Sequence, residues 1–174
     1  GIIGPSGSGK DTLLNCYFKF GTGKKTVSAT TRPIRYKGTD GRDYHFFTRA
    51  RFEKAIVDGE LLEYTEYAGN YYGTLYSEIN RITADGDDVI LKIEVEGAQK
   101  VKKQFPDAIL VFTFPPSAEV LAARLKSRGT EDEQTMKKRL VVAEKEIETA
   151  KKIYDYLIIN DDAEDAAKKF ADII

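Results

Sequence analysis

The sequence predicts an α/β fold: a central, mostly parallel sheet flanked by helices, with a small strand-rich subdomain inserted in it. Three observations predict this. Strand-like and helix-like stretches alternate along the chain, the pattern of parallel strands joined by crossover helices. Residues 108–114 (AILVFTF) are apolar almost throughout, as a strand covered on both faces must be. Residues 44–76 are rich in tyrosine and phenylalanine and differ from the Val/Ile/Leu strands around them, which marks a separate sheet.

The elements follow in order. Residues 1–3 end a first strand, residues 10–19 form a helix, and residues 25–28 form a short strand. Residues 31–43 are a polar loop carrying Arg32, Pro33, Arg35 and Arg42. Residues 44–47 form a strand, and Thr48 caps a helix over 49–58. Two strands, 61–67 and 71–74, are joined by Gly69-Asn70, a hairpin signal. A helix over 75–84 stops before Asp85-Gly86. A buried strand is expected over 88–94, a helix over 97–104 and the central strand over 108–114. Ser117 caps a helix over 118–127. A long charged helix over 130–152 opens with Thr130-Glu131-Asp132-Glu133 in capping-box form. A last strand over 156–159 and a last helix over 163–173 complete the chain, with Asp161-Asp162 at that helix's N-terminus.

With 174 residues, 41% hydrophobic and 32% charged, the chain suits a single compact domain with a lid or small insert. The net charge of −1 argues against a nucleic-acid or membrane-surface binder. One cysteine, Cys16, excludes an internal disulfide and fits a reducing, cytoplasmic setting. Its expected role is a small apolar side chain on a helix. No apolar run approaches the roughly 18 residues that a membrane span needs. The chain begins inside a strand pattern without Met, so the native N-terminus is expected to lie further upstream.

The chemistry starts at Gly4-Pro5-Ser6-Gly7-Ser8-Gly9-Lys10, which satisfies G-x-x-x-x-G-K between a strand and a helix. Glycines let successive backbone N–H groups converge on an anion, and the helix dipole adds to the attraction. Lys10 is placed to reach the β- and γ-phosphates of a nucleotide. The residue after this lysine is usually Ser or Thr, whose hydroxyl binds Mg²⁺. Here it is Asp11, followed by Thr12.

Further blocks are more specific. Ser28-Ala29-Thr30-Thr31-Arg32-Pro33-Ile34-Arg35 leads into Asp40-Gly41-Arg42-Asp43-Tyr44, and Gly69-Asn70-Tyr71-Tyr72-Gly73-Thr74 follows. Together with the phosphate loop, and with Ile93-Glu94-Val95-Glu96-Gly97-Ala98, Pro115-Pro116-Ser117 and Asn160-Asp161-Asp162, these resemble the guanylate kinase family nearly end to end. The resemblance implies a P-loop kinase that uses ATP and Mg²⁺ to phosphorylate GMP. It implies a GMP-binding subdomain over 28–74, a core over 1–27 and 75–174, and a helical lid at about 124–140. Arg32, Arg35, Tyr44 and Tyr72 would hold the GMP phosphate, in keeping with the bidentate reach of guanidinium groups. Glu63 would accept hydrogen bonds from guanine N1–H and the 2-amino group, with Ser28, Thr74 and Glu94 as further base contacts. ATP would lie on residues 4–12 and near Asn160, and Arg124, Arg128 and Arg139 would join Lys10 in neutralising the transferring phosphoryl group. Its partners would be these nucleotides; the resemblance leaves the oligomeric state open. Singly, Arg32 and Arg35 also read as solvated loop charges and Glu63 as an exposed strand charge. His45 reads as structural.

Three positions depart from the family pattern. Asp11 replaces the hydroxyl residue, Lys92 stands where an acidic residue is usual, and Gly38 follows Lys37 where Glu is usual. Asp11 and Lys92 are expected to form an ion pair at the metal site, because each compensates the other's charge. Asp11, with phosphates and water, remains the one candidate metal ligand. These departures keep two other readings open: a catalytically weak or inactive binding module of the same fold that holds phosphorylated partners, and a kinase of a different small phosphorylated acceptor such as ribose bisphosphate.

Overall fold

The computed structural model describes residues 1–5, 7–34, 38–67, 69–127, 141, 145 and 147–174. In chain order the elements are β1 (Ile2–Ile3), α1 (Lys10–Tyr17), β2 (Lys24–Lys25), β3 (Ala29–Thr30), β4 (His45–Phe46), α2 (Arg49–Val57), β5 (Leu61–Tyr67) and β6 (Asn70–Leu75). There follow α3 (Tyr76–Ala84), β7 (Val89–Ile90), α4 (Val95–Gln104), β8 (Val111–Phe114), α5 (Ala118–Ser127), β9 (Tyr156–Ile159) and α6 (Ala163–Ala171). Most of the helix expected over 130–152 falls outside the described residues.

The core strands run parallel. β1, β8 and β9 pair in that order, and β2 pairs with β7. The two groups meet where Ile2 N donates to Leu91 O (2.8 Å) and Ile93 N donates to Ile2 O (3.3 Å). Successive residues of β1 serve opposite faces, as the strand period requires. Ile2 packs with Leu13, Leu14, Tyr17 and Phe170 on the side of α1 and α6. Ile3 packs with Val95, Ala98, Val101 and Phe112 on the side of α4. Covering both faces explains why β1 is apolar throughout and β8 nearly so.

A four-stranded sheet, in the order β4-β3-β6-β5, is built wholly from residues 29–75. Its own small core centres on Phe52, which is fully buried and stacks on Tyr71. The strand expected over 25–28 divides here. β2 ends at Lys25 beside β7, and Ala29 opens β3 in the other sheet. Residues 26–28 carry the chain across, so a single strand cannot form.

That crossing is pinned by Glu78 on α3. Its carboxylate accepts from the Val27 amide (3.0 Å), from Arg81 (2.9 Å) and from His45 Nε2 of β4 (3.2 Å). The structural reading of His45 thereby gains a partner. Burial would raise the Glu78 carboxyl, but hydrogen bonds from Arg81, Val27 and His45 outweigh it and hold the pKa at about 2. A carboxyl depressed on folding stabilises the protein above its unfolded value of 4.5 and loses that contribution as pH falls towards about 2. Glu78→Gln is expected to lower the Tm at pH 7 by roughly 3–6 °C. The gap between variant and parent should close between pH 4.5 and about 2. Thermal melts of both proteins across that range measure it.

Three expected caps are present. Thr48 Oγ1 accepts from Arg51 N (3.2 Å), Ser117 Oγ from Val120 N (3.2 Å), and Asp162 Oδ1 from Glu164 N and Asp165 N (both 2.9 Å). Cys16 is partly buried against the α1–α6 core, as a small apolar helix residue should be.

Candidate active site

β1 delivers the chain into the phosphate loop, and α1 leaves it. Gly9 has φ 87° and ψ 19°, a left-handed conformation that serves as the N-cap of α1. A Cβ there would collide with the Asn160 carboxamide, and one on Gly4 with the Thr113 carbonyl. The loop is therefore held against the ends of β8 and β9. Asn160 does much of this holding: it is 2% exposed and its Nδ2 donates to Ser8 O (2.9 Å). Its carboxamide clamps the loop beside which the resemblance places ATP. Lys10 Nζ curls back to donate to the carbonyls of Gly4 and Pro5. Ser8 Oγ is buried and makes no hydrogen bond among the described residues. Arg124 stands beside the loop, with Nη2 donating to Asn160 O (3.1 Å). These groups form a cradle whose donors suit phosphate oxygens.

The second group of residues lies on the four-stranded sheet and the loop before it. Glu63 on β5 faces Thr74 on β6 across the ladder, and Thr74 Oγ1 donates to Glu63 Oε1 (2.7 Å) in a buried setting. Burial raises the Glu63 pKa, the Thr74 bond and Lys100 charge opposing it only in part, and Glu94 adds to the rise. A carboxyl raised on folding favours the folded state below the ordinary carboxylate range, and that contribution is lost as pH rises through the elevated value. N–H donors on a ligand would favour the charged form that burial disfavours. Gly97 on α4 makes room for it, since a Cβ there would stand 2.5 Å from Glu63 Oε2. Arg32 lies over the Tyr44 ring at 5.4 Å, and Tyr44 packs edge-on to Tyr72 at 6.1 Å. Arg32 Nη1 is buried and makes no hydrogen bond among the described residues, as expected of a donor built for a ligand. Ser28 is half-buried, and its carbonyl accepts from His45 N (2.9 Å).

Between the two groups stands the expected ion pair. Lys92 Nζ lies 2.6 Å from Asp11 Oδ1, with side-chain exposures of 23% and 63%. Burial would raise the Asp11 carboxyl, but the Lys92 charge and hydrogen bond outweigh it and hold it low. Burial likewise opposes the Lys92 ammonium, and Asp11 more than restores it. This arrangement does not fit a protein-held Mg²⁺. The Asp11 carboxylate is engaged by an ammonium, Thr12 is exposed, and no group of three His, Cys, Asp or Glu suited to a metal occurs among the described residues.

The structure thus brings Gly4, Pro5, Gly7, Ser8, Gly9, Lys10, Asp11, Arg124 and Asn160 together, and Arg32, Tyr44 and Tyr72 together. Glu63 meets Thr74, and Glu94, the N-cap of α4, acts on both Glu63 and Lys92. Ser6, Arg35, Arg128 and Arg139 lie outside the described residues. Gly97 and Lys100, both beside Glu63, were missed by sequence reasoning. The signal for Gly97 was its place in Ile93-Glu94-Val95-Glu96-Gly97. No helix among the described residues is long and apolar enough to cross a membrane.

Comparison with known proteins agrees with this geometry. The guanylate kinase family model matches residues 2–174. A guanylate kinase from Halalkalibacterium halodurans is 44% identical over 174 residues, covering 99% of this chain and 85% of that protein. The crystal structure of guanylate kinase from Anaplasma phagocytophilum superposes with a TM-score of 0.78 at 31% identity, covering 99% of this chain and 81% of that one. Shikimate kinase from Acinetobacter baumannii shares the fold more distantly, at TM-score 0.52 and 13% identity, over 99% of this chain and 89% of that one. A phosphate cradle, an arginine–tyrosine cluster and a buried carboxylate, matched over almost the whole chain at this identity, make the chain a member of the guanylate kinase family.

Proposed function

We propose that the protein transfers the γ-phosphoryl group of ATP to GMP, giving ADP and GDP. The observation that carries this reading is the buried Glu63–Thr74 pair on the same sheet as the Arg32–Tyr44–Tyr72 cluster. Guanine presents two adjacent donors, N1–H and the 2-amino group, to a carboxylate. Adenine presents an acceptor at N1 and no 2-amino group, so the same carboxylate rejects it.

ATP lies on residues 4–12, with backbone N–H groups and Lys10 on its β- and γ-phosphates. Arg32, Arg35, Tyr44 and Tyr72 hold the GMP phosphate, and Ser28, Thr74 and Glu94 complete the base pocket around Glu63. A GMP phosphate oxygen attacks the γ-phosphorus in line; the new P–O bond forms as the bond to the ADP oxygen breaks. The attacking oxygen is already anionic at neutral pH, so no general base is required. Lys10, with Arg124, Arg128 and Arg139, offsets the charge that shifts to the leaving oxygen. Mg²⁺ would accompany ATP on its phosphates and water rather than on a set of protein carboxylates, and Asp11 Oδ1 is already paired with Lys92.

The experiment is ADP formation from ATP and Mg²⁺ with GMP, AMP or a ribose bisphosphate as acceptor. Turnover with GMP, at least about 100-fold above AMP in kcat/KM, is expected. GMP binding without turnover would identify a binding module, and preference for the ribose bisphosphate would overturn the assignment of Glu63.

A further inference from the structure

We propose that Lys92 binds nucleotide phosphate directly, supplying at this site part of the charge neutralisation that a protein-held divalent ion would otherwise supply. The inference rests on the ATP:GMP reading above. Lys92 lies just beyond β7 and is bridged in parallel to Ile2, on the strand that feeds the phosphate loop. That register brings its ammonium to Asp11, the residue that follows Lys10. Lys25, at the end of the adjacent β2, lies within electrostatic reach of both. Asp11 thus has the Lys92 ammonium in contact and those of Lys25 and Lys10 within electrostatic reach.

Asp43 acts on Lys25 and Glu94 on Lys92 as well, so Lys92 is set apart by its place: it is the ammonium in contact with Asp11, next to Lys10. Burial holds the Lys25 amine below the usual lysine value, and the Lys92 charge lowers it further. A partly sheltered ammonium gains from an anion placed beside it. The anion the site is built for is a chain of phosphates, and the Ser8 hydroxyl and Lys10 beside the cluster are groups that receive one. Lys92 also feels Tyr44 and Glu94, so it faces the acceptor side as well as the loop. A flexible four-carbon stem lets it exchange Asp11 for a phosphate oxygen. Asp11 is then its resting partner, and the pair keeps the Lys92 ammonium at the loop until a phosphate takes the place of the carboxylate.

The test is calorimetric titration of the β,γ-imido analogue of ATP, in EDTA and in excess Mg²⁺. The parent protein is expected to bind the metal-free analogue within about threefold of its Mg²⁺ complex. Lys92→Met should weaken metal-free binding by about 10-fold or more, and binding of the Mg²⁺ complex by less than about threefold. Lys92→Arg should restore most of the loss. Asp11→Asn, which releases Lys92, should tighten metal-free binding. Metal-free affinity unchanged in Lys92→Met, or lost equally with and without Mg²⁺, overturns the proposal. If Lys92→Met does not fold, Asp11→Asn decides: no tightening overturns it. Failure of the parent to bind the analogue under either condition overturns the ATP reading itself, and this inference with it.

Discussion

Lys10→Met is expected to lower kcat for GMP phosphorylation by about a thousandfold while leaving the KM for GMP within about threefold. Lys10 starts α1 and already bends over the loop to the Gly4 and Pro5 carbonyls. Those carbonyls are placeholders for phosphate oxygens, so little rearrangement is needed when ATP arrives. Charge on the β–γ bridging oxygen grows as the bond breaks, and an ammonium held there acts most strongly on the transition state. Methionine keeps much of the apolar stem and removes the charge. Its Tm should fall by a few degrees, because the lysine is buried and methionine leaves the Gly4 and Pro5 carbonyls without its hydrogen bonds. Steady-state kinetics alongside thermal melts measure both. A loss confined to KM would show that Lys10 only recruits the nucleotide.

Glu63→Ala is expected to lower kcat/KM for GMP by about two orders of magnitude or more, and to change AMP turnover little, so that the preference for GMP collapses. The carboxylate is 5% exposed, its one side-chain bond comes from Thr74, and burial raises its pKa. Burial disfavours its charged form, which hydrogen-bond donors on a ligand would restore. Truncation removes the buried carboxyl and leaves Thr74 Oγ1 without an acceptor, two effects of opposite sign, so the Tm should change little. Glu63→Gln keeps an acceptor but turns an N–H toward the base, and should fall between Ala and the parent. Unchanged selectivity in Glu63→Ala would remove the residue from the base pocket.

Much of this was legible because the determinants are local. The apolar runs at Ile2-Ile3 and residues 108–114 announce strands covered on two faces, and the observed clusters divide between those faces as period two demands. Thr48, Ser117 and Asp162 cap their helices through bonds to amides two or three residues away, so the signal lies inside a short window. The Asp11–Lys92 pair, 81 residues apart, was legible for another reason: two departures of opposite charge fall at positions that meet in this fold. What escaped has no local trace. The break between β2 and β3 depends on which sheet each end joins. Two of the Glu78 partners, Val27 in the crossing segment and His45 on β4, are distant in sequence, and Asn160 reaches Ser8 across 152 residues.

The contact between Gly97 and Glu63 bears on how separable the two halves of this molecule are. The acceptor-reading carboxylate belongs to the inserted sheet, yet its back rests on α4 of the core. Lys100 tightens the seam by donating to Tyr64 O at 2.5 Å. A chimaera that exchanged residues 29–75 alone would place a foreign side chain against a helix shaped for Glu63. Changing the acceptor by transplantation therefore requires moving the start of α4 together with the sheet, as one inheritable unit.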